Sequence, residues 1–531
     1  GKNTSAGVIN IITEAPSFTT GWNLELTAGD YGQLGAAASV TGPVTDTVAM
    51  RLYVAHRLRD GFMDIDTGDG PRRETDDGNV DFTTIRGQVL ILPSDNASIR
   101  LIADYSTRDE YCCIGTQIRT GPTYPFVDAL STGTGQRPPA PGFGPLPFSR
   151  IGYANRSDGQ SVQDRGLSAE ANIDFPSMNA TLTSITSWRD WGSNLGQDID
   201  YTGADLLYRV QDGDYGYSVE NWTQELRLAG ATDRLDWLFG VFATKEDVGR
   251  TDSYYLGADY TPFISLLLSA RINAANPALP ISPSTIGCYT RPGQTSPGFG
   301  GCLFTGGMSP AGPTAATGPR FIVGQGVEDH YAQQSTSLAF FTNNTWHLTE
   351  QFDITLGLRY TLDDKSLSGL QLNTNGNGAT CNAALANAGA IGGVLGASTP
   401  TILGTFCLPW TNGAYNNRTV SESFDDGELS GTIKAAFRLN PSILTYVSYA
   451  RGYKSFGYNL DRVQTGITPN ASLFFPSEVV DSYEAGVKMT LLDRSLLLNA
   501  TYFDQTFENF QLNTFLGTAF VVESIPELTS R

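Results

Sequence analysis

The chain has 531 residues, with 58 Gly, 27 Phe and 23 Tyr against 5 Met, charged residues at 17 % and a formal charge of -20. That acidity argues against a nucleic-acid partner, and no shift of composition divides the chain into the three or four soluble domains its length would ordinarily hold. No run of eighteen apolar residues occurs. This excludes a transmembrane helix but not membrane-crossing strands, which alternate and escape a hydropathy window.

In chain order, the opening GKNTSAGVINIITEAP places small residues (Thr4, Ser5, Ala6) between Gly1 and Gly7, which suits a tight turn. Val8, Ile9, Ile11 and Ile12 then make a short apolar strand stopped by Pro16. From Trp22 onward, segments of period two follow one another. Ala97, Ile99, Leu101, Ala103 and Tyr105 share one face, and Ser98, Arg100, Ile102 and Asp104 the other. Ile354, Leu356, Leu358 and Tyr360 oppose Thr355, Gly357 and Arg359, and Tyr483, Ala485, Val487 and Met489 oppose Glu484, Gly486 and Lys488.

The polar face carries charge in nearly every strand (Arg86, Arg100, Arg227, Arg359, Lys434, Lys488), which a wet lumen accommodates better than a sandwich core. Short turns near 42–47, 92–97, 175–179, 230–234, 348–351, 439–442 and 491–494 alternate with long connections near 59–79, 109–160, 190–216, 251–330, 366–425 and 457–477. Short periplasmic turns and long external loops mark an all-β, antiparallel outer-membrane barrel, here of about fifteen strands plus part of another. Leu226 and Leu228 are expected to face lipid, and Glu225 and Arg227 the lumen. Trp346 and His347, beside a short turn, suit an interfacial girdle.

All six cysteines (112, 113, 288, 302, 381, 407) fall in predicted external loops. Six cysteines allow about 15 pairings. Proximity favours Cys288 with Cys302 and Cys381 with Cys407, and the adjacent Cys112 and Cys113 open the option of a vicinal bridge. Neither Cys nor His spacing suits zinc, so no metal or cofactor is expected. The acid pairs Asp76-Asp77 and Asp425-Asp426 fit either solvation or calcium. The longest loop carries Tyr254, Tyr255, Tyr260, Arg271, Tyr289 and Arg291 as candidate ligand contacts, with a short helix over 264–272. The alternative is that these side chains pack the loop on itself. No GxSxG or nucleophile–base pairing points to an enzyme.

Gly1, Lys2, Asn3, Thr4, Gly7, Ile9, Asn10, Ile11, Thr13 and Pro16 resemble the last plug segment of TonB-dependent outer-membrane receptors, G-R/K-N-T-x-x-G-x-I-N-I-x-T-x-x-P. DITLGLRYT (353–361), YVSYARGYKSFGYN (446–459) and YEAGVK (483–488) resemble barrel strands of the same family, in the family's order. Phe456 stands before Gly457 where many members have a second glycine.

The resemblance implies a barrel of the 22-stranded type, incomplete here. Residues 1–16 would end the plug, and 17–531 would form the N-terminal and central barrel. On this reading the chain is truncated at both ends and would not insert alone as a closed barrel. The resemblance further implies a monomer in outer-membrane lipid that engages TonB through the missing N-terminal region. Its cargo would be a scarce bulky nutrient, an iron–siderophore complex being the family default. A passive porin, or a surface receptor without transport, remains the alternative.

Overall fold

The computed structural model describes residues 11–132, 149–275, 321–386, 388–389, 392 and 396–531. Sixteen long strands form its wall: β1 (Gly21–Ala28), β2 (Leu34–Thr45), β3 (Val48–Arg59), β4 (Val80–Ser94), β5 (Ala97–Tyr111), β6 (Gly159–Phe175), β7 (Ala180–Leu195), β8 (Gly216–Ala231), β9 (Leu235–Leu256), β10 (Gly326–His347), β11 (Phe352–Thr374), β12 (Arg418–Asn440), β13 (Ile443–Lys454), β14 (Glu478–Leu491), β15 (Leu496–Phe515) and β16 (Phe520–Ser530). Each pairs antiparallel with the next in sequence. All seven predicted short turns therefore lie at one end and the long connections at the other. Two connections at the long-loop end, residues 29–33 and 516–519, are themselves tight.

The period-two reading sorts the wall into two faces. Leu226, Val241, Phe340, Tyr360 and Leu429 stand side by side across β8 to β12 and are 37–53 % exposed. One residue along, Glu225, Phe242, Ala339, Thr361 and Glu428 form the opposite row. On this second face polar side chains are buried: Thr361 0 %, Ser337 1 %, Ser430 2 % and Asp363 4 % exposed. Arg227 pairs there with Glu225 at 3.1 Å. Apolar outside and polar inside inverts a soluble protein, and it requires lipid around the wall.

The apolar band has a definite height. Between Trp237 and Lys245 the outward residues of β9 are Phe239, Val241 and Ala243, about 26 Å along the strand and less once tilted, close to the roughly 25 Å hydrocarbon band. Above it come Lys245 and Asp247, with Trp188 and Trp222 directly paired across strands at 6.1 Å. At the short-turn rim His347 meets Asp353 (2.8 Å) and Asp236 (3.1 Å).

The strands run further than the sequence suggests. β9, β10, β11 and β12 hold 22 or 23 residues each, where roughly 10 cross a membrane. The long connections are thus shorter than expected, at 196–215, 257–325 and 375–417. The pairing continues because each neighbour continues, and no apolar alternation is needed above the lipid. The helix expected over 264–272 is longer: α2 spans Tyr260–Ala275, after α1 (Tyr124–Leu130). Two further helices, α3 (Ala379–Ala386) and α4 (Thr399–Phe406), follow in the 375–417 loop.

Close packing of the wall uses glycine. A Cβ on Gly486 would lie 2.6 Å from the Tyr446 ring. The ring crosses the strand there because nothing projects from it. Tyr446 then bonds Thr501 at 3.1 Å and carries the Lys434 and Lys488 ammonium groups at 5.1 and 5.8 Å from its centroid.

Candidate functional site

Two regions of the polar face are built for more than closure. The first holds the start of the described chain. Arg51 on β3, Gln88 on β4 and Arg100 on β5 project inward beside one another. Arg51 Nε donates to the Ala15 carbonyl (3.2 Å), Gln88 Nε2 to the Glu14 carbonyl (3.2 Å) and Arg100 to the Thr13 carbonyl and hydroxyl (3.2 and 3.1 Å). Arg51 also pairs with the Glu14 carboxylate at 2.5 Å. A cavity of about 590 Å³ opens alongside, walled by Glu14, Glu25, Arg51, Arg86, Asp104 and Arg189 among others. Residues 13–16 therefore lie inside the wall. Gly1 to Asn10, which carry most of the first motif, are outside the described residues.

The second region is the mouth at the long-loop end. Arg209, between β7 and β8, lies between the rings of Tyr215 and Tyr254, 4.1 and 4.0 Å from their centroids, and pairs with Asp252 at 3.0 Å. Tyr254 stacks on Trp410. Arg250 joins Asp252 (2.6 Å) to Asp461 (3.8 Å), and Arg462 grips Asp329 with two 2.7 Å bonds. Burial, followed by the nearby Asp252 charge, pushes Asp461 up to about 6, against the pull of Arg250. The result is a packed stack in which Arg209, 8 % exposed, is held between two rings and neutralised by Asp252, beside the Arg250–Asp461 pair and the buried Arg462–Asp329 pair.

Among the described residues, the predicted ligand residues do not converge on one cavity. Tyr254 belongs to the packed stack. Tyr255, its neighbour, points to the other face, where it packs on Tyr208 (5.7 Å) and donates to Glu328 (3.2 Å). Tyr260 is 2 % exposed in the apolar core that α2 forms with Phe321, Ile402, Leu403 and Phe406, and its hydroxyl accepts from Trp410 at 3.0 Å. Its place is in loop packing, the alternative the sequence left open. Arg271 bonds the Thr405 hydroxyl and so ties α2 to α4. Tyr289, Arg291, Cys288 and Cys302 lie outside the described residues.

Cys381 and Cys407 are joined within that core, and Cys112 to Cys113 in the loop after β5. Three of the four paired acids are engaged by the chain. Asp76 accepts from the Gly61 amide and Asp77 from the Ile114 amide, while Asp426 accepts from Gly427. Among the described residues no three His, Cys, Asp or Glu gather to hold a metal.

Arg209, Arg250, Asp329, Asp461 and Arg462 escaped the sequence reading. The one available trace was charge on the inward positions of strand tops (Arg250, Asp252, Asp329), at the same period of two as the lumen.

A lipid-facing apolar belt, a polar interior and a loop crown at one end define an outer-membrane β-barrel. The family model described as TonB dependent receptor-like, beta-barrel, matches residues 119–531, and the chain belongs to that family. The fold is shared with the ferric yersiniabactin uptake receptor FyuA of Yersinia pestis (16 % identity, TM-score 0.61, covering 97 % of this chain and 58 % of that one). It is also shared with the ferric-catecholate import receptor Fiu of E. coli K12 (15 %, 0.57, 98 % and 63 %) and the siderophore receptor PiuA of Acinetobacter baumannii (14 %, 0.58, 98 % and 62 %). The chain thus spans less than two thirds of the length of each.

Proposed function

We propose that the protein imports a bulky, scarce ligand of the iron–siderophore class by TonB-dependent active transport. Family membership supports the transport class. The siderophore class rests on the names of the three receptors with the same fold, and the half-buried rings of Tyr215, Tyr254 and Trp410 at the mouth offer aromatic surface for such a ligand. On this reading residues 1–16 are the end of the plug and the barrel follows. Ligand engages the crown and the plug rim, and TonB draws on the inner-membrane proton gradient to open a path along the lumen wall. The ligand must bind the two plug states with different affinity for the signal to cross.

Uptake of radiolabelled iron with a panel of catecholate, hydroxamate and mixed siderophores tests this, comparing a deletion strain with one carrying the complete gene. Energy-dependent uptake of one class that is lost in the deletion and in a TonB-deficient strain is expected. Uptake independent of TonB would instead indicate a passive channel, and surface binding without uptake a receptor that does not transport.

A further inference from the structure

Residues 13–15 each give their backbone carbonyl to a different wall side chain: Thr13 to Arg100, Glu14 to Gln88 and Ala15 to Arg51. Pro16 is buried behind them, and the Ser17 amide donates to Thr41 at 2.8 Å. The three wall side chains come from three adjacent strands. They are also linked, since Arg100 Nε donates to Gln88 Oε1 at 3.1 Å. Gln88 is 4 % exposed. Bonds to consecutive carbonyls hold the main chain itself, and two of the three donors are charged, which strengthens them.

We propose that Arg51, Gln88 and Arg100 are positioning residues that keep residues 13–16 fixed on the lumen wall throughout import. This rests on the reading of the protein as an import receptor whose plug ends in residues 1–16. The gripped Thr13 and Glu14 and the gripping Arg51 and Gln88 together bound one side of the neighbouring 590 Å³ cavity. A junction that had to leave the wall would have to break all three carbonyl bonds and the Arg51–Glu14 ion pair together.

The test uses the complete gene product with Glu14→Cys and Arg51→Cys, joined by a short cleavable thiol cross-linker. Uptake is expected to be impaired in the unlinked double variant and restored on linking, because the covalent bond replaces the ion pair. Loss of uptake on linking, reversed by cleavage, would overturn the proposal by showing that the segment must detach. A second variant, Arg51→Ala with Arg100→Ala, should lower the maximal uptake rate while leaving ligand affinity at the cell surface unchanged, with Arg100→Lys giving partial rescue. Wild-type uptake in that variant would also overturn it.

A readout independent of transport is amide exchange at Ser17 in the purified receptor, expected to rise about tenfold or more in the Arg51→Ala/Arg100→Ala variant. Unchanged exchange would refute the grip. If the unmodified receptor took up no siderophore, the function reading would fail while this measurement still judged the anchor.

Discussion

Arg462 and Asp329 are 133 positions apart in sequence yet form two parallel 2.7 Å bonds, guanidinium to carboxylate, with both side chains at most 3 % exposed. The other donors of Arg462 reach Asn373 Oδ1 (2.8 Å) and the carbonyls of Leu372 (2.7 Å) and Pro409 (3.1 Å). Its charged plane also faces Tyr415 at 4.8 Å. One side chain therefore fastens the 455–477 loop to β10, to the top of β11 and to the 375–417 loop. Arg462→Ala should leave the Asp329 carboxylate buried and uncompensated, at a cost of roughly 3–5 kcal/mol. Amide exchange should accelerate in both loops while β10 and β11 below them stay protected. Equal protection in variant and parent would contradict the keystone role.

Oxidation of Cys381 and Cys407 closes a loop across a sequence separation of 26. In the chain-entropy model a loop of that size is worth about 3.5 kcal/mol. Both cysteines are fully buried among Ile402, Phe406 and Ala384, so reduction should loosen α3 and α4 without disturbing the wall. Non-reducing peptide mapping followed by proteolysis of the reduced protein checks this. A 381–407 peptide absent from material made in an oxidising envelope would count against it.

Leu226 stands mid-height in the outward row with Val241, Phe340, Tyr360 and Leu429. Leu226→Arg places a charge against hydrocarbon and should destabilise the folded barrel by roughly 2–4 kcal/mol. Thr223→Arg, on the lumen face, should cost far less. Denaturant titration in lipid, with the two variants side by side, decides the matter. Equal costs would mean that the two faces have been assigned wrongly.

How much of this was readable beforehand follows from where each constraint lives. The wall was legible because alternation is a local property: Leu226 beside Arg227 states both faces within two residues. The ends of the strands were not, since Asp252 and Asp329 pair above the lipid, where the outward positions turn polar and the alternation fades. Arg462 could not be found at all. Nothing near Asp461-Arg462-Val463 differs from an ordinary solvated loop, and its partner enters the chain more than a hundred residues earlier. Tyr260 was left open between ligand contact and loop packing for a related reason: an aromatic residue in a long loop reads the same whether it faces a ligand or the underside of a helix.

The YEAGVK motif acquires a mechanical meaning in the wall. Gly486 is where the Tyr446 ring crosses from β13 onto β14, so a side chain there has no room. Gly486→Val should displace the ring, break the Tyr446–Thr501 bond and cost about 1–3 kcal/mol. Tyr446→Ala in the same chain should relieve most of the added strain, so the double variant should be more stable than additivity predicts. Strictly additive losses would show that the ring and the glycine are not coupled.

A buried acid contributes to the pH response of the first external loops. Asp77 lies with Asp158 and Arg72 beneath the small sheet of residues 63–66, 76–77 and 151–153, all three side chains at most 3 % exposed. Two carboxylates against one guanidinium leave an excess negative charge in a dry place. Burial, then contact with Asp158, accordingly pushes Asp77 up to about 8, against the lowering by the Ile114 amide and Arg72. In the unfolded loop the same group releases its proton near the ordinary carboxylate value of about 4. Between those values the folded loop holds a proton that the unfolded loop has lost. Its stability is therefore greatest below about pH 4, declines as the pH rises from about 4 to 8, and levels off above. Amide exchange in residues 63–77 and 151–155, corrected for the intrinsic pH dependence, should show protection falling across that window. Asp77→Asn, which cannot ionise, should weaken the dependence most in residues 63–77, the remainder near 151–155 belonging to Asp198, which accepts the Asn155 and Arg156 amides and is pushed up to about 7 by burial. Protection that is flat or rising between pH 5 and 8 in the unmodified protein would show that no proton is held at this site.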